Sequence, residues 1–176
     1  MGLVERFAFW NWPRPSGTPD LTLDLSRPSL AGVRPGEDQT VLARRLGPPA
    51  SYRHMKRRGL WVYPAWGITF AAERGRVTGF SATVLGVEGT PPRVFAGQWC
   101  PYAGEVVLRG GGARRPAPHL MPEAVWESLG APRQVEEGAE DSVLYYRFGA
   151  WGMDVEFLPD GRFTHVSVFV TRHEPR

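Results

Sequence analysis

The sequence predicts an α+β protein made of two tandem copies of a strand–helix–three-strand unit, with antiparallel sheets and short helices packed on one face. Three landmarks carry this reading. Leu46-Gly47-Pro48-Pro49 recurs as Leu129-Gly130-Ala131-Pro132, 83 residues on. Ala65-Trp66-Gly67 recurs as Ala150-Trp151-Gly152, 85 on, and Gly75-Arg76 as Gly161-Arg162, 86 on. Recurrence in one order, with a drift that loop insertions absorb, is the mark of an internal duplication. It divides the chain into an irregular arm (1–19), a first repeat with its Gly/Pro-rich connection (20–101) and a second repeat (102–176).

The elements follow from local chemistry. Leu21, Leu23 and Leu25 alternate with Thr22 and Asp24, the two-residue period of a half-buried strand. Gly32-Val33-Arg34-Pro35-Gly36 reads as a turn. Glu37 or Asp38 can accept hydrogen bonds from the free amides of a helix start, and Val41, Leu42 and Leu46 fall on one helical face. Gly47 permits the left-handed residue that ends a helix, and Pro48-Pro49 forbids its continuation. A basic loop is expected up to Gly59, then strands over 60–63, 67–73 and 76–85. Residues 86–101 form the connection, with Val94 and Phe95 a candidate short strand.

In the second copy a strand is expected over 105–109, a flexible stretch over 110–118, and a helix opening at Pro122, whose missing amide hydrogen needs no partner in a first turn. Val125, Trp126 and Leu129 form its expected buried face. Residues 133–142 are acidic where the first copy is basic. Strands follow over 142–148, 153–158 and 162–171, with Pro159-Asp160-Gly161 a tight turn. A lone copy has one apolar sheet face and a helix too short to cover it, so the two copies are expected to share a core.

Superposing the copies sorts their faces. Leu144, Tyr146 and Phe148 match Trp61 and Tyr63. Met153, Val155 and Phe157 match Ile68 and Phe70, while Val166, Val168 and Val170 match Phe80, Ala82 and Val84. These should point to the helices. Alternation places Tyr145, Arg147, Asp154, Glu156, His165 and Ser167 on the opposite face, continued in the first copy by Leu60, Val62, Thr69, Gly79, Ser81 and Thr83.

Composition bounds the function. With 176 residues and 42% hydrophobic side chains the chain builds a core without a covalent staple. Its single cysteine, Cys100, cannot close an intrachain disulfide. The first dozen residues offer no cationic region leading into a long apolar run, and no run reaches the ~20 residues of a membrane helix, so a cytoplasmic setting is expected. The net charge is a mild +3 and Lys56 is the only lysine. Arg53, His54, Lys56, Arg57 and Arg58 make a candidate anion-binding patch, with Arg114 and Arg115 a smaller one. A solvated loop explains them more simply, and nucleic acid is not the expected partner.

Catalytic constellations are thin. Asp154, His165 and Ser167 share a face, but His165 and Ser167 lie two apart on one strand and no nucleophile elbow accompanies them. The four histidines show no paired metal-ligand spacing, and Gly110-Gly111-Gly112 lacks the lysine and hydroxyl of a phosphate-binding loop. No cofactor or metal is expected. Trp66 and Trp151, at matching turns beside glycine, read as structural covers.

The run from Gly32-Val33-Arg34-Pro35-Gly36 through a short helix, Leu46-Gly47-Pro48-Pro49 and Trp61-Val62-Tyr63 to Gly75-Arg76-Val77 resembles the repeat shared by the beta-lactamase inhibitor protein and the small lipoprotein of the bacterial outer-membrane assembly machinery. The resemblance covers most of 20–85 and 104–171. It implies a helical segment on an antiparallel sheet, with tandem copies binding proteins through the exposed concave sheet face. Family members are exported, often carry a disulfide in each inhibitor repeat or a lipidated cysteine near the start, and this chain has neither. The expectation is a non-enzymatic protein-binding module, inhibitor- or immunity-like, acting through Tyr145, Arg147, Asp154, Glu156 and His165. The alternative is a small-ligand binder or enzyme with a pocket between the repeats, near Trp99, Cys100 and His119.

Overall fold

In the computed structural model, described for residues 15, 17–55, 58–84, 100–108 and 114–171, with backbone alone at 51–55, two sheets and two short helices enclose one core. The fold is α+β. In chain order the elements are β1 (Leu23–Asp24), β2 (Ser29–Leu30), α1 (Thr40–Leu46), β3 (Ser51–Met55), β4 (Arg58–Tyr63), a 3-10 turn (Pro64–Trp66), β5 (Ile68–Glu73) and β6 (Arg76–Thr83). Then come β7 (Glu105–Val107), β8 (Arg114–Pro116), a 3-10 turn (Ala117–His119), α2 (Pro122–Leu129), β9 (Gln134–Glu137), β10 (Ser142–Phe148), β11 (Trp151–Phe157) and β12 (Phe163–Val170). Among the described residues no helix is long and apolar enough to cross a membrane.

The large sheet has eight strands in the order β3-β4-β5-β6-β12-β11-β10-β9, every neighbour antiparallel. The two expected hairpin sets therefore meet along a β6–β12 seam. There Ser81 faces Ser167, flanked by Ala82 opposite Val166 and Phe80 opposite Val168. Both sets carry one extra residue at the same place. The β5–β6 register shifts so that Thr78 stands unpaired between Val77 and Gly79, and the β11–β12 register shifts so that Thr164 stands between Phe163 and His165. Each bulge turns two residues three apart to the same side. Val77 with Phe80, and Phe163 with Val166, all reach the core.

The small sheet, ordered β2-β1-β7-β8, pairs β1 with β7 in parallel, Leu23 against Val106. With α1 and α2 it contributes to the core under the inner face of the large sheet. Asp38 accepts a hydrogen bond from the Thr40 amide (2.9 Å), whereas Glu37 accepts from Arg34 (2.8 Å) and so closes the preceding turn. Of the two acids expected at the helix start, only Asp38 serves it. Both helices end at glycines with nearly identical backbone, Gly47 at φ 72°, ψ −165° and Gly130 at φ 83°, ψ −173°. α1 buries Leu42, Ala43 and Leu46, and α2 buries Ala124 and Val125.

Trp126, expected in the buried face of α2, is 46% exposed. It lies one residue, about 100° of helix, past Val125, and the stripe through Ala124, Val125 and Leu129 leaves it on the flank. Val170 is 37% exposed, the seam pairing with β6 having ended one residue earlier at Phe169. The basic stretch expected as a loop forms β3, the acidic stretch forms β9, and the stretch expected to be flexible contains β8 and a 3-10 turn. Val94, Phe95 and Trp99 lie outside the described residues.

Core burial is concentrated in large side chains. Trp61, Phe70, Phe157 and Phe163 are 0–2% exposed, each contributing about 2–3 kcal/mol of hydrophobic stabilisation. Two tyrosines at matching places behave differently. The Tyr63 hydroxyl donates to the Gly47 carbonyl at 3.0 Å, tying β4 to the end of α1, whereas the buried Tyr146 hydroxyl has no partner among the described residues. Tyr63→Phe strands that carbonyl and is expected to lower stability by about 1–2 kcal/mol. Tyr146→Phe removes a buried, unbonded hydroxyl and should leave stability unchanged or higher. Urea denaturation of both variants checks the pair; equal losses would contradict the bonding described.

Candidate functional site on the outer face of the large sheet

Strand alternation fixes what the outer face carries, and the ladder register lines those residues up in three rows. The central row runs Thr69, Ser81, Ser167, Asp154, Tyr145. On one side of it lies Thr83, His165, Glu156, Val143; on the other, Ala71, Gly79, Phe169, Gly152, Arg147. Tyr145, Arg147, Asp154, Glu156 and His165 thus share one face, Tyr145 directly beside Asp154 and Glu156 beside His165.

The middle of this face is hollow because its side chains are small. Thr69, Ala71, Gly79, Ser81 and Ser167 line a groove of about 680 Å³ that crosses the seam, with Arg58 and Glu73 at one end and Phe169 and Val170 at the other. Arg58 and Glu73 form an ion pair at 3.4 Å. Gly79 is required there, since a Cβ would collide with the Val168 carbonyl oxygen and with Phe169 Cα at 3.2 Å. Gly152 leaves room for the Phe169 ring to lie across β11. Phe169, a large aromatic side chain not among the expected site residues, is 38% exposed on this face. Its position between Val168 and Val170 already assigned it outward. Val62, expected on this face, is fully buried.

Electrostatically the face is divided. The side formed by β9, β10 and β11 gathers Glu136, Asp154 and Glu156. Burial, and then Glu136, holds the Asp154 carboxyl above its ordinary range, and burial followed by Asp141 and Asp154 does the same for Glu156. Tyr145 donates to Glu136 at 2.9 Å, and this bond is the first cause of its raised pKa. Arg147 is exposed, its Nε 3.5 Å from the Gly149 carbonyl.

His165 sits at the seam between two hydroxyls, with Nδ1 2.9 Å from Thr83 Oγ1 and Nε2 2.9 Å from Ser167 Oγ. The Ser167 contact has the length of a nucleophile–base pair, yet the far ring nitrogen meets a hydroxyl rather than an orienting carboxylate, and burial pushes the ring pKa down to about 4. Such a ring is a poor base at neutral pH. It fastens β6 to β12 instead.

That fastening gives a pH signature. The folded ring binds a proton less readily than the unfolded one, so stability is complete above about 6.5 and falls as pH drops from there towards 4. The loss is on the order of 3 kcal/mol at most. Asp154 and Glu156, with raised folded pKa values, act in the opposite sense and offset part of it. His165→Gln keeps a polar group between the hydroxyls but removes the titration. Urea midpoints at pH 7 and pH 4.5 should fall further for the native chain than for this variant; equal falls would refute the assignment.

The remaining candidates do not converge. Arg53 stands on β3 opposite Leu60 and Arg58 begins β4, while Lys56 and Arg57 lie outside the described residues. The Cys100 amide donates to the Pro64 carbonyl at 2.8 Å, and His119 is exposed. Trp66 stacks on Tyr63 (5.5 Å, 14°) within a 3-10 turn, whereas Trp151 opens β11 and approaches Gly36, so the two tryptophans do different work. Among the described residues no three His, Cys, Asp or Glu side chains gather as a metal site.

No family model matches the chain, and no curated protein matches it. Among solved structures, it is similar to the DUF4309 family protein YjgB from Bacillus subtilis, at 14% identity and a TM-score of 0.41, covering 74% of this chain and 76% of that one. It is also similar to a cysteine-rich secretory protein from Staphylococcus aureus, at 10% identity and a TM-score of 0.45. That match covers 77% of this chain and 44% of the other.

Proposed function

We propose that this chain is a non-enzymatic, tandem-repeat binding protein whose partner, another protein, docks across the outer face of the large sheet. Both the repeat and the kinship with the beta-lactamase inhibitor and assembly-lipoprotein repeat are part of that reading. Matching places support the duplication: the threonine bulges, the two glycine helix ends, the paired tyrosines, and a seam centred on Ser81 and Ser167.

The observation that carries the docking role is the groove. It is open and shallow, floored by small residues that let a partner backbone approach, and bordered by Phe169, while Tyr145 and Arg147 stand two strands further along the same face; these are residue types that anchor protein interfaces. A substrate site would instead be an enclosed pocket with convergent polar groups. Inhibition of an enzyme, or neutralisation of a toxin, fits a surface of this shape. Affinity capture from the native host tests the reading with three baits: the native chain, Tyr145→Ala/Arg147→Ala, and Trp126→Ala on the helix side. A partner held by the first and third and lost by the second is expected; a partner held equally by all three removes the nominated face.

A further inference from the structure

We infer that copies of this chain join edge to edge, β9 of one copy against β3 of the next, so that the large sheet runs on from copy to copy. An eight-stranded sheet with only antiparallel neighbours has end strands that run in opposite directions. Two copies in the same orientation therefore bring β9 and β3 together as antiparallel neighbours, and the alternation continues without a break.

The two edges occupy corresponding places. Ser51 pairs with Val62 and Arg53 with Leu60 on one edge; Gln134 pairs with Tyr145 and Glu136 with Val143 on the other, every residue 83 further on. Their charges are reversed. Arg53 on β3 stands where Glu136 stands on β9, His54 where Glu137 stands, and Arg58 beside the first edge, paired with Glu73, stands where Asp141 stands beside the second, so the cationic character of β3 rests on Arg53. Charged residues on an open edge normally protect it from edge-to-edge association. Here that protection works only against like edges: β3 repels β3 and β9 repels β9, while unlike edges attract.

The acidic edge is open to receive a strand. All four residues of β9 are exposed, and Val135 is 40% exposed on the side that faces the helices, apolar area an added strand would cover. The contact is heterologous, one patch meeting a different one, so it propagates into chains or closes into rings rather than stopping at a dimer. It uses neither the groove nor any residue lining it other than Arg58; Glu136, which accepts from Tyr145, is shared with the proposed docking face, so the salt series on the native chain and the Arg53→Glu/His54→Glu variant are the arms that separate the two proposals.

Sedimentation of the full chain tests the inference. The native chain is expected to gain mass with concentration at about 20 mM salt and to lose at least tenfold in association constant at about 500 mM, where charge pairs are screened. Arg53→Glu/His54→Glu leaves both edges acidic, and Glu136→Arg/Glu137→Arg leaves both basic. Each should stay monomeric alone, and an equimolar mixture should associate. Circular dichroism and urea midpoints show whether the variants fold, and the salt series on the native chain needs no variant. A native chain that is monomeric up to about 1 mM at low salt, variants that associate as the native chain does, or a folded mixture that does not associate would each overturn it.

Discussion

Gly67→Ala is expected to remove about 3–5 kcal/mol, much of the stability of an ordinary domain. Gly67 lies in the left-handed region, φ 65° and ψ 27°, where an alanine is disfavoured by about 1–2 kcal/mol. Strain is the smaller part. A Cβ there would stand 2.5 Å from the Tyr102 amide nitrogen and 2.6 Å from the Cys100 carbonyl oxygen, both backbone atoms. Neither yields easily, because the Cys100 amide donates to Pro64 (2.8 Å) and the Tyr102 amide to Thr83 (2.7 Å). Tyr102 itself is wholly buried and its hydroxyl donates to the Leu21 carbonyl. One methyl group therefore pushes apart the β4–β5 corner, the end of β6 and the entry to the second half. Urea denaturation measures the loss, and a change below about 1 kcal/mol would contradict the packing.

Phe157→Ala is expected to cost about 3–5 kcal/mol, the ordinary range for emptying a large aromatic site in a core. The ring is fully buried at the far side of β11 and lies 5.7 Å from Phe163. The informative part is where the damage is felt. The buried side chains form one cluster running from Trp61 and Phe70 to Phe157 and Phe163, and the seam joins both hairpin sets in a single sheet. Native-state hydrogen exchange should show amides of β5 and β11 losing protection by the same amount. A loss confined to β10, β11 and β12 would mean that the two sides unfold separately.

What could be read in the sequence was whatever has a period or a stop. The strands over 60–63, 67–73 and 142–148, and the helix from Pro122 to Leu129, announce themselves by alternation, helical spacing and their Gly or Pro ends. The inward set of Trp61, Phe70, Val155 and Val166 was legible for the same reason. β3 and β9 were not, because an edge strand buries little and its charges imitate a solvated loop; their pairing with β4 and β10 decides the matter, and no local pattern encodes that. β1 and β7 fall within the strands expected around Leu21, Leu23 and Leu25 and over 105–109, whereas β2 and β8, two and three residues long, are below the length at which a period exists.

The candidate site was half legible. Alternation placed Tyr145, Asp154, Glu156 and His165 together on one face, but the hollow beside them depends on Gly79 and Gly152 lying in register with Phe169 across two ladders. The exposure of Trp126 depends on how α2 rolls against the core. Long-range register of this kind is a tertiary outcome.

The most direct test of the account places a photo-crosslinking amino acid at Ser81, in the middle of the outer face, and separately at Trp126, on the helix side, within the native host. Crosslinks to one partner protein from Ser81 and none from Trp126 are the predicted result. The reverse pattern would contradict the claim that the large sheet's outer face is where this protein binds.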